Sequence, residues 1–386
     1  MKLILFLCSF AILSSHAAIP TTGKKSIEYR TQKHEVWTRL CNEVKINSKD
    51  EKEVKEASIR LIENYAATTC TLGNFRSHWQ LADDAKELLK LNPKDQFVKN
   101  LIAMLIMNWG NGQQNDIQTA FEILKVNSDA EVVKAGYSKF AEFLCAKWRD
   151  QLATRTKDLT GKVKDENKRA YLNTLMAYLI QESEKGNQRF SAELTRDFLT
   201  KNWYKYEYHY QSSFHKLLIQ NEAKLTPWLV ELAKGMFFIK QAWHFRGNGY
   251  ANEVKEENWP KFYNSLKQAG EHLKKAHSLS PNGPEAAQQM ITVTLGGNTA
   301  KSARFWFEES IKAEIDYMPA YNSLLWALRP RWGGSHEQMI SFGRECKKTK
   351  LYDTIVPFMY LSMVNQIIRD MRDLRNMKGI RGIKNG

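Results

Sequence analysis

Apolar residues recur every three or four positions along most of the chain, which is the spacing of one face of an α-helix. In the segment VWTRLCNEVKI, Val36, Leu40 and Val44 are each four residues apart. No segment shows the sustained alternation of apolar and polar residues that is typical of a half-buried strand. Only 9 prolines interrupt the 386 residues, so long helices are permitted. The pattern predicts an all-α protein in which helices and short turns alternate, about a dozen times or more.

Several predicted helices begin at residues that favour helix N-termini. Thr226 and Pro227 suit the N-cap and first helical positions of the segment WLVELAKGMFFIKQAW. A capping box pairs a serine or threonine with a glutamate or glutamine three residues later. The sequence has such pairs at Ser48 and Glu51, at Ser128 and Glu131, and at Ser335 and Gln338. We expect a helix to start at each of these positions.

Two segments place small and apolar residues at the same offsets before a proline. The residues are Ala269, Leu273, Ala276 and Pro281 in QAGEHLKKAHSLSP, and Leu81, Ala85, Leu88 and Pro93 in LADDAKELLKLNP. This arrangement resembles the second helix of a tetratricopeptide repeat, although the W-x2-L-G-x2-Y half of that motif is missing before both segments. The resemblance implies a solenoid of helical hairpins, wound as a right-handed α superhelix.

The C-terminal third resembles a narrower group of proteins. The segment AEIDYMPAYNSLLWALRPRWGGSHEQMISFGREC runs from Ala313 to Cys346. It is similar to a bacterial domain family of unknown function, in which a P-R-W-G-G block precedes a helix with a buried phenylalanine. The resemblance is good from Trp306 to Cys346 and loose elsewhere. It implies tetratricopeptide-like helices and carries no known activity.

The first residues have the organisation of a secretory signal peptide. Lys2 is followed by an apolar run from Leu3 to Leu13, and then by small residues that end in Ala17 and Ala18. We expect cleavage near Ala17/Ala18, removal of residues 1–17, and a periplasmic or secreted protein. The absence of any N-x-S/T sequon favours a bacterial envelope. An uncleaved anchor is the alternative, but the run is shorter than the roughly 20 apolar residues of a membrane-spanning helix.

The chain after the signal peptide is divided into three parts. Residues 18–255 carry the N-terminal and central hairpins, residues 256–375 carry the tetratricopeptide-like C-terminal helices with the P-R-W-G-G block, and residues 376–386 form a basic tail. None of these parts has a segment apolar enough to span a membrane. The final segment, IIRDMRDLRNMKGIRGIKNG, is amphipathic. We predict that it caps the solenoid; the alternative is that it lies on an anionic membrane surface or docks on a partner.

The net charge indicates which classes of partner to expect, and the cysteines leave open whether the protein contains a disulfide. The formal net charge of +15 favours anionic partners, such as an anionic component of the envelope. We expect no nucleic acid partner, because nucleic acid is the least available of these to a secreted protein. Four cysteines follow the signal peptide, namely Cys41, Cys70, Cys145 and Cys346. Both a Cys41–Cys70 disulfide and buried thiols are compatible with the sequence.

The segment LRPRWGGSHEQM, from Leu328 to Met339, is the first candidate site. One interpretation is a structural corner, in which Arg329 and Arg331 pair with carboxylates such as Asp316 or Glu337. The other is a binding site at a helix N-terminus, where glycine backbone N–H groups and arginine forks hold an anion. Its residues are Arg329, Arg331, Trp332, Gly333, Gly334 and Ser335.

An aromatic groove is the second candidate site. The segments NWYKYEYHYQSSFHK and KQAWHFRGNGY carry more aromatic residues than one buried helix face needs. Tyrosine and tryptophan combine an apolar ring with a polar handle, which suits peptide or sugar binding. The predicted groove residues are Trp203, Tyr204, Tyr208, Trp243 and Tyr250. The alternative is a helix buried on both sides.

The motifs leave two classes of function. The signatures H-E-x-x-H, G-x-S-x-G and G-x-G-x-x-G are absent, and we predict no metal and no cofactor. The preferred hypothesis is a non-catalytic scaffold that binds a peptide or partner protein. The alternative is a binder or hydrolase of an anionic glycan or phosphorylated ligand. It requires Arg329 and Arg331 in a pocket, unpaired with carboxylates and near an acid or base such as His336 or Glu337.

Overall fold

The computed structural model describes residues 18–72, 76–110, 114–125, 129–156, 159–186, 208–247, 249, 251–297 and 299–383. Within these ranges the protein is all-helical, and the predicted fold class is confirmed at that level. The α-helices are α1 Ser26–Asn47, α2 Lys52–Cys70, α3 His78–Lys90, α4 Gln96–Trp109, α5 Gln114–Lys125, α6 Asp129–Lys134, α7 Lys139–Arg155, α8 Gly161–Glu184, α9 Tyr208–Asn221, α10 Pro227–Arg246, α11 Asn258–Leu279, α12 Glu285–Thr294, α13 Ala303–Ala313, α14 Met318–Ala327, α15 His336–Lys348 and α16 Met359–Ile383. The signal-peptide prediction for residues 1–17 lies outside these ranges.

The helices pack mainly on their neighbours along the chain. The most extensive contacts join α10 to α11, α7 to α8, α1 to α2, and α4 to both α3 and α5. Contacts also connect alternate helices, since α12 touches both α10 and α14. This second set of contacts brings three non-consecutive helices to one surface, and it is this surface that holds the candidate site.

Aromatic side chains form the core that joins α13, α14 and α15. Phe307, Tyr321 and Phe342 are fully buried, and the ring of Phe307 meets the other two edge-on at 5.0 and 5.4 Å. Edge-to-face rings gain electrostatic attraction beyond their buried area. The hydroxyl of Tyr321 donates to the backbone oxygen of Ile315 at 2.6 Å, so its polar atom is satisfied inside the core. Phe342 supplies the buried phenylalanine expected after the P-R-W-G-G block.

Two of the predicted helix starts are confirmed and one is wrong. Helix α10 begins at Pro227 with Thr226 as its N-cap, and α15 begins after Ser335, whose capping box with Gln338 is complete. Helix α2 begins at Lys52, and Ser48 does not cap it. The hydroxyl of Ser48 donates to the carboxylate of Asp50 at 2.8 Å instead. The prediction at Ser128 lies outside the described residues.

The beginning of α1 is attached to the C-terminal half of the chain. The backbone N–H and the hydroxyl of Ser26 both donate to the carboxylate of Asp316, each at 2.6 Å. The N–H of Ile315 donates to the backbone oxygen of Lys24 at 2.9 Å. Asp316 is therefore engaged two residues before α14 begins, at the end of α14 opposite the P-R-W-G-G turn.

Two further predictions concern a disulfide between Cys41 and Cys70 and the presence of membrane-spanning segments. Cys41, Cys70, Cys145 and Cys346 are all buried, and the structure places none of them in a disulfide with another. The structure therefore favours the thiol alternative over a Cys41–Cys70 bridge. Among the described helices, none combines the length and the apolar character that crossing a bilayer requires.

Candidate ligand cavity

A cavity of about 660 Å³ opens between the C-terminal end of α10, the faces of α12 and α14, and the turn after α14. Its lining contains three tryptophans, two arginines and several amide or hydroxyl side chains. The lining residues are Trp243, Arg246, Gly247, Gln288, Gln289, Thr292, Leu295, Pro319, Asn322, Ser323, Trp326, Arg331 and Trp332. They come from both sides of the predicted boundary at residues 255 and 256.

The end of α10 forms the first wall. Trp243 and Arg246 are three residues apart, so they occupy the same helix face. The helix ends at Gly247, whose φ of +73° is accessible to glycine at little cost. The Arg246 guanidinium lies 5.4 Å from the ring centres of both Trp243 and Trp332. Cation–π attraction from two indoles therefore holds this charge at the cavity wall.

The turn after α14 forms the opposite wall. The Arg331 guanidinium lies 5.0 Å from the ring centre of Trp332 and 5.8 Å from that of Trp326. Trp332 also meets Trp243 edge-on, with ring centres 5.5 Å apart. Both arginines therefore contact the same indole ring, that of Trp332.

The two arginines give the cavity a positive potential. Burial, and then the positive charge of Arg331, lower the pKa of Arg246 from its usual value. Arg246 also donates to the backbone oxygens of Gly247 and Gly249, at 3.3 and 3.0 Å. Among the described lining residues there is no Asp, Glu or His. An anion entering the cavity would therefore meet two guanidinium groups and no competing carboxylate in the lining.

Amide side chains form the floor between these walls. Gln288 on α12 donates through Nε2 to the hydroxyl of Ser323 on α14 at 2.8 Å. Gln289 donates to Oε1 of Gln288 at 2.9 Å. Asn322, one residue before Ser323, is exposed at the same surface. Amides both donate and accept hydrogen bonds, so this floor can match the N–H and C=O groups of a peptide.

Arg329 points away from the cavity, and the prediction that it pairs with Asp316 or Glu337 is wrong. Its Nε donates to Oδ2 of Asp370 on α16 at 3.2 Å, and its Nη2 pairs with Oδ1 of the same carboxylate. Asp316 is engaged by Ser26 instead. Glu337 is exposed, and a hydrogen bond from Ser335 lowers its pKa. The hypothesis that Arg329 and Arg331 together bind a ligand is therefore wrong for Arg329, whose guanidinium is paired with Asp370.

The glycine pair of the turn has a structural role. Gly333 has a φ of +87°, and a side chain at Gly334 would overlap the backbone oxygen of Leu328. The N–H of Gly333 donates to Pro330 at 3.1 Å, and that of Gly334 donates to Arg329 at 3.2 Å. These N–H groups close the turn, so they do not form the predicted anion cradle. Together with Ser335, which caps α15, they shape the corner that carries Arg331 and Trp332.

The predicted aromatic groove contributes one residue to the cavity. Trp243 lines it, whereas Tyr208 stacks on His244 with ring centres 4.2 Å apart and accepts a hydrogen bond from Gln241 at 3.0 Å. Trp203, Tyr204 and Tyr250 lie outside the described residues. The structure thus brings Trp243 from the second predicted site together with Arg331 and Trp332 from the first.

Sequence reasoning missed Arg246, Trp326 and the amide floor. Arg246 could have been predicted from the sequence, because it follows Trp243 by three residues and immediately precedes a glycine that ends the helix. The glutamines of α12 could not have been predicted in this way, because glutamine is common on exposed helix faces. A comparison of the chain with protein families, curated proteins and solved structures found no match.

Proposed function

We propose that this protein is a non-catalytic binding protein of the periplasm or the secreted compartment, and that its cavity holds the anionic part of a peptide or partner protein. The observation that carries this proposal is the placement of Arg246 and Arg331 against the same indole, that of Trp332, in a lining without carboxylates. Arginine forks bind carboxylate and phosphate groups bidentately. The tryptophans supply apolar surface for the rest of the ligand.

The proposed architecture is a divergent tetratricopeptide-like solenoid with a right-handed superhelix. Its support is the pairing of α10 with α11 and of α12 with α13, together with the contacts from α12 to α10 and α14. Stacked hairpins produce this pattern, in which the first helix of each pair meets the first helix of the next. On this arrangement the cavity lies on a shared face of successive hairpins, where an extended segment can be accommodated.

Binding is favoured over hydrolysis by the chemistry of the lining. General acid–base catalysis uses a positioned His, Glu, Asp, Lys, Tyr or Cys within hydrogen-bond reach of the substrate. The lining described above consists of Trp, Arg, amide, hydroxyl and apolar residues. His336, the base named in the alternative hypothesis, has its Nε2 atom 3.5 Å from Asp370, behind the turn. These groups are suited to orienting a ligand.

The proposal is tested by titration of the chain from Ala18 with two short degenerate peptide libraries, one with a free C-terminal carboxylate and one amidated. Tryptophan fluorescence reports binding directly, because three indoles line the cavity. We expect the free-acid library to bind more tightly than the amidated library. Replacing Arg331 with methionine removes a charge-assisted contact, so it should weaken binding of the free-acid library about tenfold or more.

A matched control separates this effect from a general loss of charge. Arg344 lies on α15, is exposed and is not part of the cavity lining, so Arg344→Met should bind as the wild type does. Separate titrations with uronate oligosaccharides and with inorganic phosphate test the alternative ligand classes. Equal binding of both libraries, or an Arg331→Met variant that binds normally, would contradict the proposal. Tight binding of the oligosaccharide alone would support the glycan alternative.

A further inference from the structure

The last helix exposes an apolar stripe on the face opposite its buried side. Met359, Met363 and Asp370 of α16 face the protein and are buried. Leu361 and Ile368 are seven residues apart on the opposite face, where they are 59% and 41% exposed. Residues seven apart lie on the same face of a helix, and the exposed Asn365 lies between these two. An apolar face that the fold leaves in solvent marks a surface for interaction.

Further exposed apolar residues lie in the turn and the short 3-10 helix that precede α16. Tyr352, Ile355 and Phe358 precede Leu361 at intervals of three residues, and each is more than half exposed. Met371 follows Ile368 and is also exposed. We name this set the C-terminal apolar stripe: Tyr352, Ile355, Phe358, Leu361, Ile368 and Met371.

The charges around the C-terminal apolar stripe are positive. The exposed basic residues of this part of the chain are Lys347, Lys348, Lys350, Arg369 and Arg372. From Leu351 to Asp373 the carboxylates are Asp353, Asp370 and Asp373, fewer than the five basic residues. Asp353 is paired with Lys25, and Asp370 is paired with Arg329. The surface thus combines apolar side chains with a net positive charge.

We infer that the C-terminal apolar stripe docks on an anionic lipid surface. Interfacial helices bury an apolar face at the headgroup boundary while lysine and arginine contact anionic headgroups. Charge complementarity favours this occupant over a second copy of the chain. A symmetric dimer would place the same basic residues opposite each other, which is unfavourable. The inference is independent of the ligand proposed for the cavity.

The experiment is sedimentation of the chain from Ala18 with vesicles of phosphatidylcholine alone and with vesicles that contain phosphatidylglycerol. We expect binding to the anionic vesicles, and a decrease as salt is raised. Leu361→Glu/Ile368→Glu should abolish binding, since it places carboxylates in the centre of the stripe. Arg369→Gln/Arg372→Gln should weaken binding roughly thirtyfold, because each basic residue near an anionic surface contributes about equally and independently.

Ile46→Glu is the matched control, because Ile46 is 80% exposed and lies on α1, outside the stripe. It should sediment with anionic vesicles as the wild type does. Circular dichroism establishes that each variant is folded, which is expected because the replaced side chains are exposed. Three results would overturn the inference. They are no binding to anionic vesicles, equal binding to both vesicle types, and a dimer in solution that Leu361→Glu/Ile368→Glu dissociates.

Discussion

Replacement of Asp370 with asparagine should loosen the turn that forms one wall of the cavity. The substitution preserves side-chain size and removes the charge that pairs with Arg329. Arg329 in turn lies with its guanidinium 4.4 Å from the ring centre of Trp326, which lines the cavity. Asp370 itself does not line the cavity. It therefore acts as a positioning residue, through Arg329, on the geometry of the turn.

The expected magnitude follows from how deeply the pair is buried. The side chains of Arg329 and Asp370 are 11% and 10% exposed. Removing one partner of a buried ion pair typically costs about 3 to 5 kcal/mol, because a charge is left in a poorly solvated place. Since both groups retain some solvent contact, we expect the lower end, a loss of about 3 kcal/mol in the free energy of unfolding.

Urea unfolding followed by circular dichroism measures this loss. Asp353→Asn is the matched control, because Asp353 carries the same carboxylate in an exposed pair with Lys25. Exposed ion pairs contribute little to stability, so this variant should unfold as the wild type does. The charge-free pair Arg329→Met/Asp370→Leu should recover much of the lost stability, because it leaves no buried charge.

Two results would refute this reasoning. The first is an Asp370→Asn variant that unfolds within about 1 kcal/mol of the wild type, a difference typical of exposed pairs. The second is an equal loss in the Asp353→Asn control, which would show that burial does not set the cost. A shift in tryptophan emission in Asp370→Asn, absent in Asp353→Asn, would locate the effect at the cavity.

Three further predictions concern other parts of the fold. Gly334→Ala should destabilise the protein by about 1 to 3 kcal/mol through overpacking of the turn, measured by thermal unfolding, whereas Gly161→Ala, with open space around it, should not. Burial, with nearby positive charge, lowers the pKa of His215 from 6.5 to about 4. The contribution of His215 to the free energy of unfolding should therefore be fully present above pH 6.5 and decrease towards pH 4, because the unfolded chain binds a proton that the folded chain does not. Urea titrations at several pH values should show a weaker pH dependence for His215→Asn. Burial raises the pKa of Cys41 to about 11 and that of Cys346 to about 12, so a thiol reagent should react with these two cysteines only after unfolding.

The helices could be predicted because the sequence features that mark them, apolar spacing and N-cap residues, act within a few residues of the helix itself. The spacing of Val36, Leu40 and Val44 places all three on the buried face of α1. Ser335 and Thr226 mark true helix starts for the same reason, since a cap acts within one turn of its own residue. The capping box of Ser77 with Gln80 could have been predicted in the same way.

The failure at Ser48 shows the limit of local signals. Asp50 accepts hydrogen bonds from the backbone N–H groups of Lys94 and Asp95, at 2.6 and 3.1 Å. These contacts join two loops that are more than forty residues apart along the chain, and Ser48 supports Asp50 rather than the helix. A capping motif in the sequence does not reveal such a competing long-range partner, so tertiary contacts override it here.

The candidate site was predictable in its residues but not in its geometry. Arg331, Trp332 and Trp243 were each selected from sequence, yet the sequence assigned them to two separate sites. Trp243 and Trp332 are 89 positions apart by residue number, and only the packing of α12 between α10 and α14 places their rings 5.5 Å apart. The partner of Arg329 was missed for the same reason, because Asp370 lies 41 residues away.

The P-R-W-G-G turn is both a corner and the wall of a cavity, and its backbone explains why. Pro330 to Trp332 form one short 3-10 turn, so Arg329 and Arg331 leave the chain on either side of a single proline. Arg329 is directed inward to the carboxylate of Asp370, whereas Arg331 reaches the cavity across Trp332. The first arginine fixes the turn to α16, and the second presents a charge to the cavity. The same α16 carries exposed apolar residues on its other face, so the docking that we infer and the position of Arg331 depend on one helix.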